Sequence, residues 1–154
     1  MIDRNLIFTN INFNNKKDVF NFSLRKLKDF EYINDEKIFL EEINRREAIL
    51  PTSLGFGVAI PHGRSESVKS PFILFIKSEE PFYWNADDKE QTDLIFMIGV
   101  PDGEDAGNIH LRILSSISKK LMHEDFRDAL RTGDADNVYK LMYEIDQTIT
   151  GGIK

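Results

Sequence analysis

The chain has 154 residues, a formal net charge of −6, 41% hydrophobic and 30% charged residues, 12 Phe and no Cys. That length suits one domain with a sizeable core, and the ordinary balance of apolar and charged residues excludes disorder. The lack of Cys excludes disulfides, zinc–thiolate sites and thiol nucleophiles, while an acidic chain with no Lys/Arg run longer than a pair disfavours nucleic acid as main ligand.

In chain order, "LIFTNINF" (6–13) has strand composition, with Ile7, Thr9, Ile11 and Phe13 expected on one side. "NNKKDVFNFSLRKLKDF" (14–30) opens on Asn caps and carries Phe20, Leu24 and Leu27 at helical spacing. A second helix, "NDEKIFLEEINRRE" (34–47), is capped by Asn34 or Asp35. Phe39, Ile43 and Arg46 fall on one of its faces, so Arg46 should point the way the core residues do and Arg45 away. "GVAI" (57–60), "FILFIK" (72–77) and "DLIFMIGV" (93–100) are short apolar runs, as expected of strands covered on both faces. Three helices follow, "NIHLRILSSISKKLM" (108–122), "EDFRDALRTG" (124–133) and "DADNVYKLMYEI" (134–145). The order predicts a three-layer α/β sandwich with a small sheet between helices on both faces. We read 1–154 as a single domain with its core from about 3 to about 147 and "TITGGIK" as a loose tail. The aromatics of "PFYWN" are expected to cover an end of the core. The start, "MIDRNLIFTN", lacks a signal-peptide pattern and no run reaches membrane-spanning length, so a cytoplasmic protein with no membrane insertion is expected.

The three histidines differ in setting. His62 follows Pro61, which fixes the backbone direction at a strand end, where α/β domains place chemistry; alone it reads as a turn cap or as a reactive group. His110 opens the apolar stripe of its helix with Leu114, Ile117 and Leu121, in a first turn whose dipole favours anions; alone it reads as a core histidine or a ligand. His123, beside Glu124 and Asp125, is expected on the surface. There is no HExxH or HxH for a metal, no GxSxG for a serine nucleophile, and no GxGxxG or GK[ST] for a nucleotide. What remains is histidine as its own nucleophile: a neutral imidazole accepts a phosphoryl group and becomes a phosphoramidate. Such a site needs a fixed ring, a cation for the phosphoryl oxygens and room for a donor protein. Pro61 supplies the first, Arg46 the second, and Gly55, Gly57 and Gly63 are expected to supply the third.

"RE…PTSLGFGVAIPH", followed by "LIFMIGVP" and "HLRILSSISKKL", resembles the enzyme IIA components of the mannitol/fructose class (type 2) in the bacterial phosphoenolpyruvate-dependent sugar phosphotransferase system. The order and spacing of these motifs span essentially the whole chain; residues 1–15 and "PFYWNADDKEQ" match least. The resemblance implies a mixed sheet flanked by helices. It implies that His62 takes its phosphoryl group from the histidine phosphocarrier protein and passes it to a cysteine of enzyme IIB, with the membrane enzyme IIC carrying the sugar. His110 is then the second histidine of the site, bonded to the phosphoryl group or to the ring of His62, and Arg46 the arginine of the Arg-Glu pair. Thr52, Gly55, Gly57, Pro61 and Gly63 belong to the signature loop around the phosphoryl site. No metal, nucleotide or other cofactor is required; the phosphoryl group comes ultimately from phosphoenolpyruvate. The alternative is a regulatory IIA-like protein of the nitrogen-related branch, whose phosphorylation state controls partners. A non-catalytic interaction domain is disfavoured, since all three polar site residues are present.

Overall fold

The computed structural model describes residues 1–151. Strand β1 (Ile2–Ile11) leads into helices α1 (Lys16–Asp29) and α2 (Glu36–Ile49). Three short strands follow, β2 (Ser53–Gly55), β3 (Val58–Ala59) and β4 (His62–Ser65), then the long β5 (Phe72–Phe82) and β6 (Thr92–Pro101). Helices α3 (Ala106–Leu121), α4 (Glu124–Thr132) and α5 (Ala135–Gly151) complete the chain. The six strands form one mixed sheet in the order β1-β5-β6-β3-β2, with β4 also paired to β6. β5 and β6 run antiparallel, as do β2 and β3, while β1 lies parallel to β5, and β3 and β4 lie parallel to β6.

Alternation along the strands sorts the core into two halves. Phe72, Leu74 and Ile76 of β5 face α1 and α2, where they meet Phe20, Leu24, Leu27, Phe39 and Ile43. Ile73 and Phe75 face the other way, against Ile113 and Ile117 of α3, Leu130 of α4, and Val138 and Met142 of α5. A strand that is apolar at every position therefore has a helical layer over each face, which is the expected three-layer α/β arrangement. The helices start where their caps dictate: Asn15 accepts from the Asp18 N–H and Asp35 from the Ile38 N–H, each satisfying an otherwise orphaned donor.

Three expectations need correction. β1 does not place Ile7, Ile11 and Phe13 on one side. Ile7 packs with the α3–α5 half, while Ile11 and Phe13 pack with the α1–α2 half. The register between β1 and β5 shifts between Phe8 and Ile11, and an irregularity of one residue sends the following side chains to the opposite face. "GVAI" is a strand only at its centre, β3, which pairs with β6; Gly57 belongs to the turn before it and Ile60 to the link into β4. Finally, α5 continues past 145 to Gly151, because Ile149, four residues beyond Ile145, extends the buried stripe and is itself 1% exposed. The stretch 148–151 is thus helix rather than loose tail, and 152–154 lie outside the described residues. The "PFYWN" aromatics do close the core. Phe82 and Trp84 are buried, with Trp84 edge-on to Phe20 at 5.6 Å, while Tyr83 faces solvent.

Candidate functional site

The central feature is a sheet lane interrupted by proline. β3 pairs Val58 with Leu94 and Ala59 with Ile95; β4 pairs His62 with Ile98, so the same offset against β6 is kept across Ile60 and Pro61. The lane is continuous, although Pro61 has no N–H to give to the ladder. The Pro61 carbonyl accepts from the Ile98 N–H at 3.0 Å, and the Ile60 N–H donates to the Thr52 carbonyl at 3.0 Å. Because the lane keeps its parity, Ile60, His62 and Arg64 share the face toward α3. Gly63 takes the opposite face, where a methyl group would stand 3.1 Å from Cγ of Glu42 and 3.7 Å from the ring of Phe39. Its small size lets α2 close down on the sheet.

Two elements complete the site from either side. On α3, Ala106, Ile113, Ile117 and Leu121 are buried, and His110 continues that stripe one turn from the helix start. On α2, burial of Phe39 and Ile43, worth about 1.5–3 kcal/mol each, anchors the helix so that Arg46 emerges one turn later at the sheet margin. The result is a cavity of about 470 Å³ whose walls include His62, His110, Arg45, Arg46 and Arg64. The two imidazoles meet edge to face, with ring centroids 5.0 Å apart.

The tautomer of His62 follows from its partner. Nδ1 lies 2.6 Å from the Ile60 carbonyl oxygen, which can only accept, so Nδ1 carries the proton and Nε2 keeps its lone pair. Burial pushes the pKa of His62 down. Arg46 acts in the same direction, against the opposing pull of the Ile60 carbonyl and Glu47. His110 is pushed further, to about 4, by burial first and then by His62, Arg64 and Arg46. Its Nε2 is buried without a hydrogen-bond partner among the described residues. The start of α3 is also open electrostatically: Asp105 makes no side-chain capping bond and the first turn contains no acidic residue. Arg64 lies against that turn, since a methyl group on Gly107 would come within 3.2 Å of its Nη1. Two guanidinium groups and a helix start thus converge on one concave surface, with the His110 ring in its wall and a second imidazole, His62, that presents a free lone pair. Chemically, such an arrangement can hold an anion such as a phosphoryl group beside a nucleophilic nitrogen.

The pKa of His110 has a consequence for stability. Its folded value lies below the unfolded value near 6.5, so the unfolded chain binds the extra proton. The neutral ring's contribution is complete above pH 6.5 and is lost as pH falls toward 4. Thermal midpoints are expected to decline across that window in the wild type and to decline less in His110→Gln. Parallel declines in the two proteins would show that the ring does not carry the effect.

Sequence reasoning placed His62, His110 and Arg46 in one site, and the structure brings the three together. His123 is exposed, as expected, at the start of α4. Arg45, expected to point away, instead lines the cavity: residues 42, 45 and 46 share a helical face, and Glu42 holds the Arg45 guanidinium at 2.6 and 3.1 Å. Thr52 lies behind the cavity, 3% exposed, with its hydroxyl donated to Glu47. Gly55 and Gly57 do not open space for a donor. Both have positive φ, +84° and +80°, and make the tight β2–β3 turn; a methyl group on Gly57 would strike Arg131 Nη2 at 2.5 Å and Asp93 Oδ1 at 2.7 Å. Arg64 was missed. Its signal is the i+2 spacing from His62 along a strand, which becomes legible once the lane is known to run through Pro61.

Comparisons with known proteins agree with this geometry. A family model described as "Phosphoenolpyruvate-dependent sugar phosphotransferase system, EIIA 2" matches residues 1–145. The chain is 38% identical over 115 residues to a "PTS system fructose-specific EIIA component" of Haloferax volcanii, covering 75% of this chain and 73% of that protein. It is 34% identical over 111 residues to a "PTS system fructose-like EIIA component" of Escherichia coli, covering 72% and 74%. Among solved structures, the nitrogen regulatory protein IIA-Ntr from Neisseria meningitidis superposes with a TM-score of 0.82 at 31% identity, covering 91% of this chain and 94% of that one. Among the described residues no helix is long and apolar enough to cross a membrane, and no group of three or more His, Asp or Glu could hold a metal ion.

Proposed function

The chain belongs to the EIIA 2 family of the phosphoenolpyruvate-dependent sugar phosphotransferase system, and from that premise we propose that it carries its phosphoryl group on His62. The supporting observation is the ring itself: Nδ1–H is anchored on the Ile60 carbonyl and Nε2 is left free in a cavity walled by Arg46, Arg64 and His110. In the proposed reaction the Nε2 lone pair attacks the phosphorus of a phosphohistidine on the histidine phosphocarrier protein. The new N–P bond forms as the donor's N–P bond breaks, and the donor nitrogen keeps the electron pair. The His62 Nδ1 proton stays on its carbonyl throughout. Because the transition state is loose and spreads charge over three oxygens, catalysis is chiefly positioning and charge stabilisation, which Arg46, Arg64 and the start of α3 supply. The group then passes to a cysteine thiolate of enzyme IIB, in support of sugar uptake through the membrane enzyme IIC.

The likeness to IIA-Ntr supports a second reading, in which the same phosphorylation controls a partner protein rather than feeding transport. One experiment separates the two. The protein is labelled from phosphoenolpyruvate through enzyme I and the phosphocarrier, repurified, and mixed with enzyme IIB. One acid-labile phosphate per chain, discharged rapidly to the IIB cysteine, is the expected result. A stable label that IIB does not remove would favour the regulatory reading, and no label at all would remove both.

A further inference from the structure

The Arg-Glu pair sends its two side chains to different places. Arg46 faces the cavity; Glu47, 9% exposed, turns into the protein behind it. There its carboxylate accepts from the Thr52 hydroxyl and from Trp84 Nε1–H at 3.4 Å, with Lys16 Nζ 3.7 Å away. Trp84 is 2% exposed, wedged against Phe20 and Phe82. Lys16 also donates to the Asn85 side chain at 2.7 Å, so the β5–β6 loop and the start of α1 are clasped to the same carboxylate. A buried carboxylate is costly unless its oxygens are matched by donors, and such a matched cluster holds one geometry firmly.

That geometry leads to the reacting ring in three steps. Glu47 holds the side chain of Thr52; the Thr52 carbonyl accepts the Ile60 N–H at 3.0 Å; and the Ile60 carbonyl accepts His62 Nδ1–H at 2.6 Å. Pro61 gives the β6 ladder no N–H, though its carbonyl still accepts from Ile98, and Ile60 between the two strands turns its own N–H to the Thr52 carbonyl, so the placement of Thr52 bears on where the Ile60 carbonyl points. We propose that Glu47, held by Trp84 and Lys16, is a positioning residue for His62: through Thr52 and Ile60 it fixes the carbonyl that sets the tautomer and aim of the imidazole. The cluster never touches the phosphoryl group. Its effect is to keep Nε2, rather than Nδ1, as the nitrogen with the lone pair, and to hold that nitrogen facing the cavity. This inference rests on His62 being the reacting residue, and it gives the β5–β6 loop, distant in sequence from every site residue, a part in the reaction.

The test uses Thr52→Val, Trp84→Phe and Glu47→Gln, with Thr52→Ser as the conservative control, each first checked for a native melting transition. Ring ¹⁵N NMR of His62 reads the tautomer without any partner protein. The wild type and Thr52→Ser are expected to show a single tautomer protonated at Nδ1; Thr52→Val and Glu47→Gln are expected to show a mixture of tautomers, and Trp84→Phe a smaller admixture. Single-turnover phosphoryl acceptance is expected to fall about 10- to 100-fold in Thr52→Val, with the half-saturating phosphocarrier concentration unchanged. Should folded Thr52→Val and Glu47→Gln both retain the single wild-type tautomer, the inference is overturned, even if their rates fall. If the wild type takes no phosphate, the proposed function fails, but the tautomer comparison still decides this point.

Discussion

His62→Gln is expected to lose the phosphorylated species entirely, with acceptance from the phosphocarrier down by at least about four orders of magnitude. Glutamine keeps a planar polar side chain of similar reach, so the cavity and the pairing of β4 with β6 should survive, and a loss of labelling cannot be assigned to unfolding. The size of the effect follows from the chemistry. Covalent transfer needs a nucleophilic lone pair, and an amide nitrogen has none to give. His110 offers no substitute. Its Nε2 is buried rather than open to a donor. The measurement is intact-mass detection of a single added phosphoryl group, backed by label loss in acid. Wild-type labelling of His62→Gln would move the reacting atom to another residue.

What made this site legible in the sequence was local. Asn15 and Asp35 announce helix starts with their own side chains, and Phe39, Ile43 and Arg46 lie on one helical face, so the direction of Arg46 could be read without knowing the neighbour it faces. Pro61 marked His62 in the same way. The features that escaped reading depend on pairings between distant segments. The shifted register of β1 against β5 exists only once those strands meet, and it reverses the sides that strict alternation assigns. Arg64 became visible only when β4 was seen to continue the lane of β3 along β6. Glu47 sat in plain view beside Arg46, but its partner Trp84 comes from "PFYWNADDKEQ", one of the segments that matched the family least, and Lys16 from the start of α1 just after the other. A carboxylate buried among donors from three elements has no local pattern to give it away.

The second large effect is expected at Arg46. Arg46→Gln should slow phosphoryl acceptance about 10²- to 10³-fold, the usual loss when one of several donors to a developing charge is removed. It should not abolish transfer, because Arg64 and the start of α3 still face the cavity. The same change has a second consequence of opposite character. Arg46 helps hold the His62 pKa down, so its removal lets that pKa rise and leaves more of the ring protonated near neutrality. The two effects separate by pH. Lost nucleophile is recovered on going to pH 8.5, where the imidazole is neutral in either protein; lost charge stabilisation is not. Since burial is the largest cause of the depressed pKa and persists in the variant, most of the deficit is expected to remain at pH 8.5. Arg46→Gln with Arg64→Gln should fall well below either alone, as both residues line the same cavity. Full recovery of the Arg46→Gln rate at high pH would reduce Arg46 to a tuner of His62 and leave Arg64 as the group that binds phosphate.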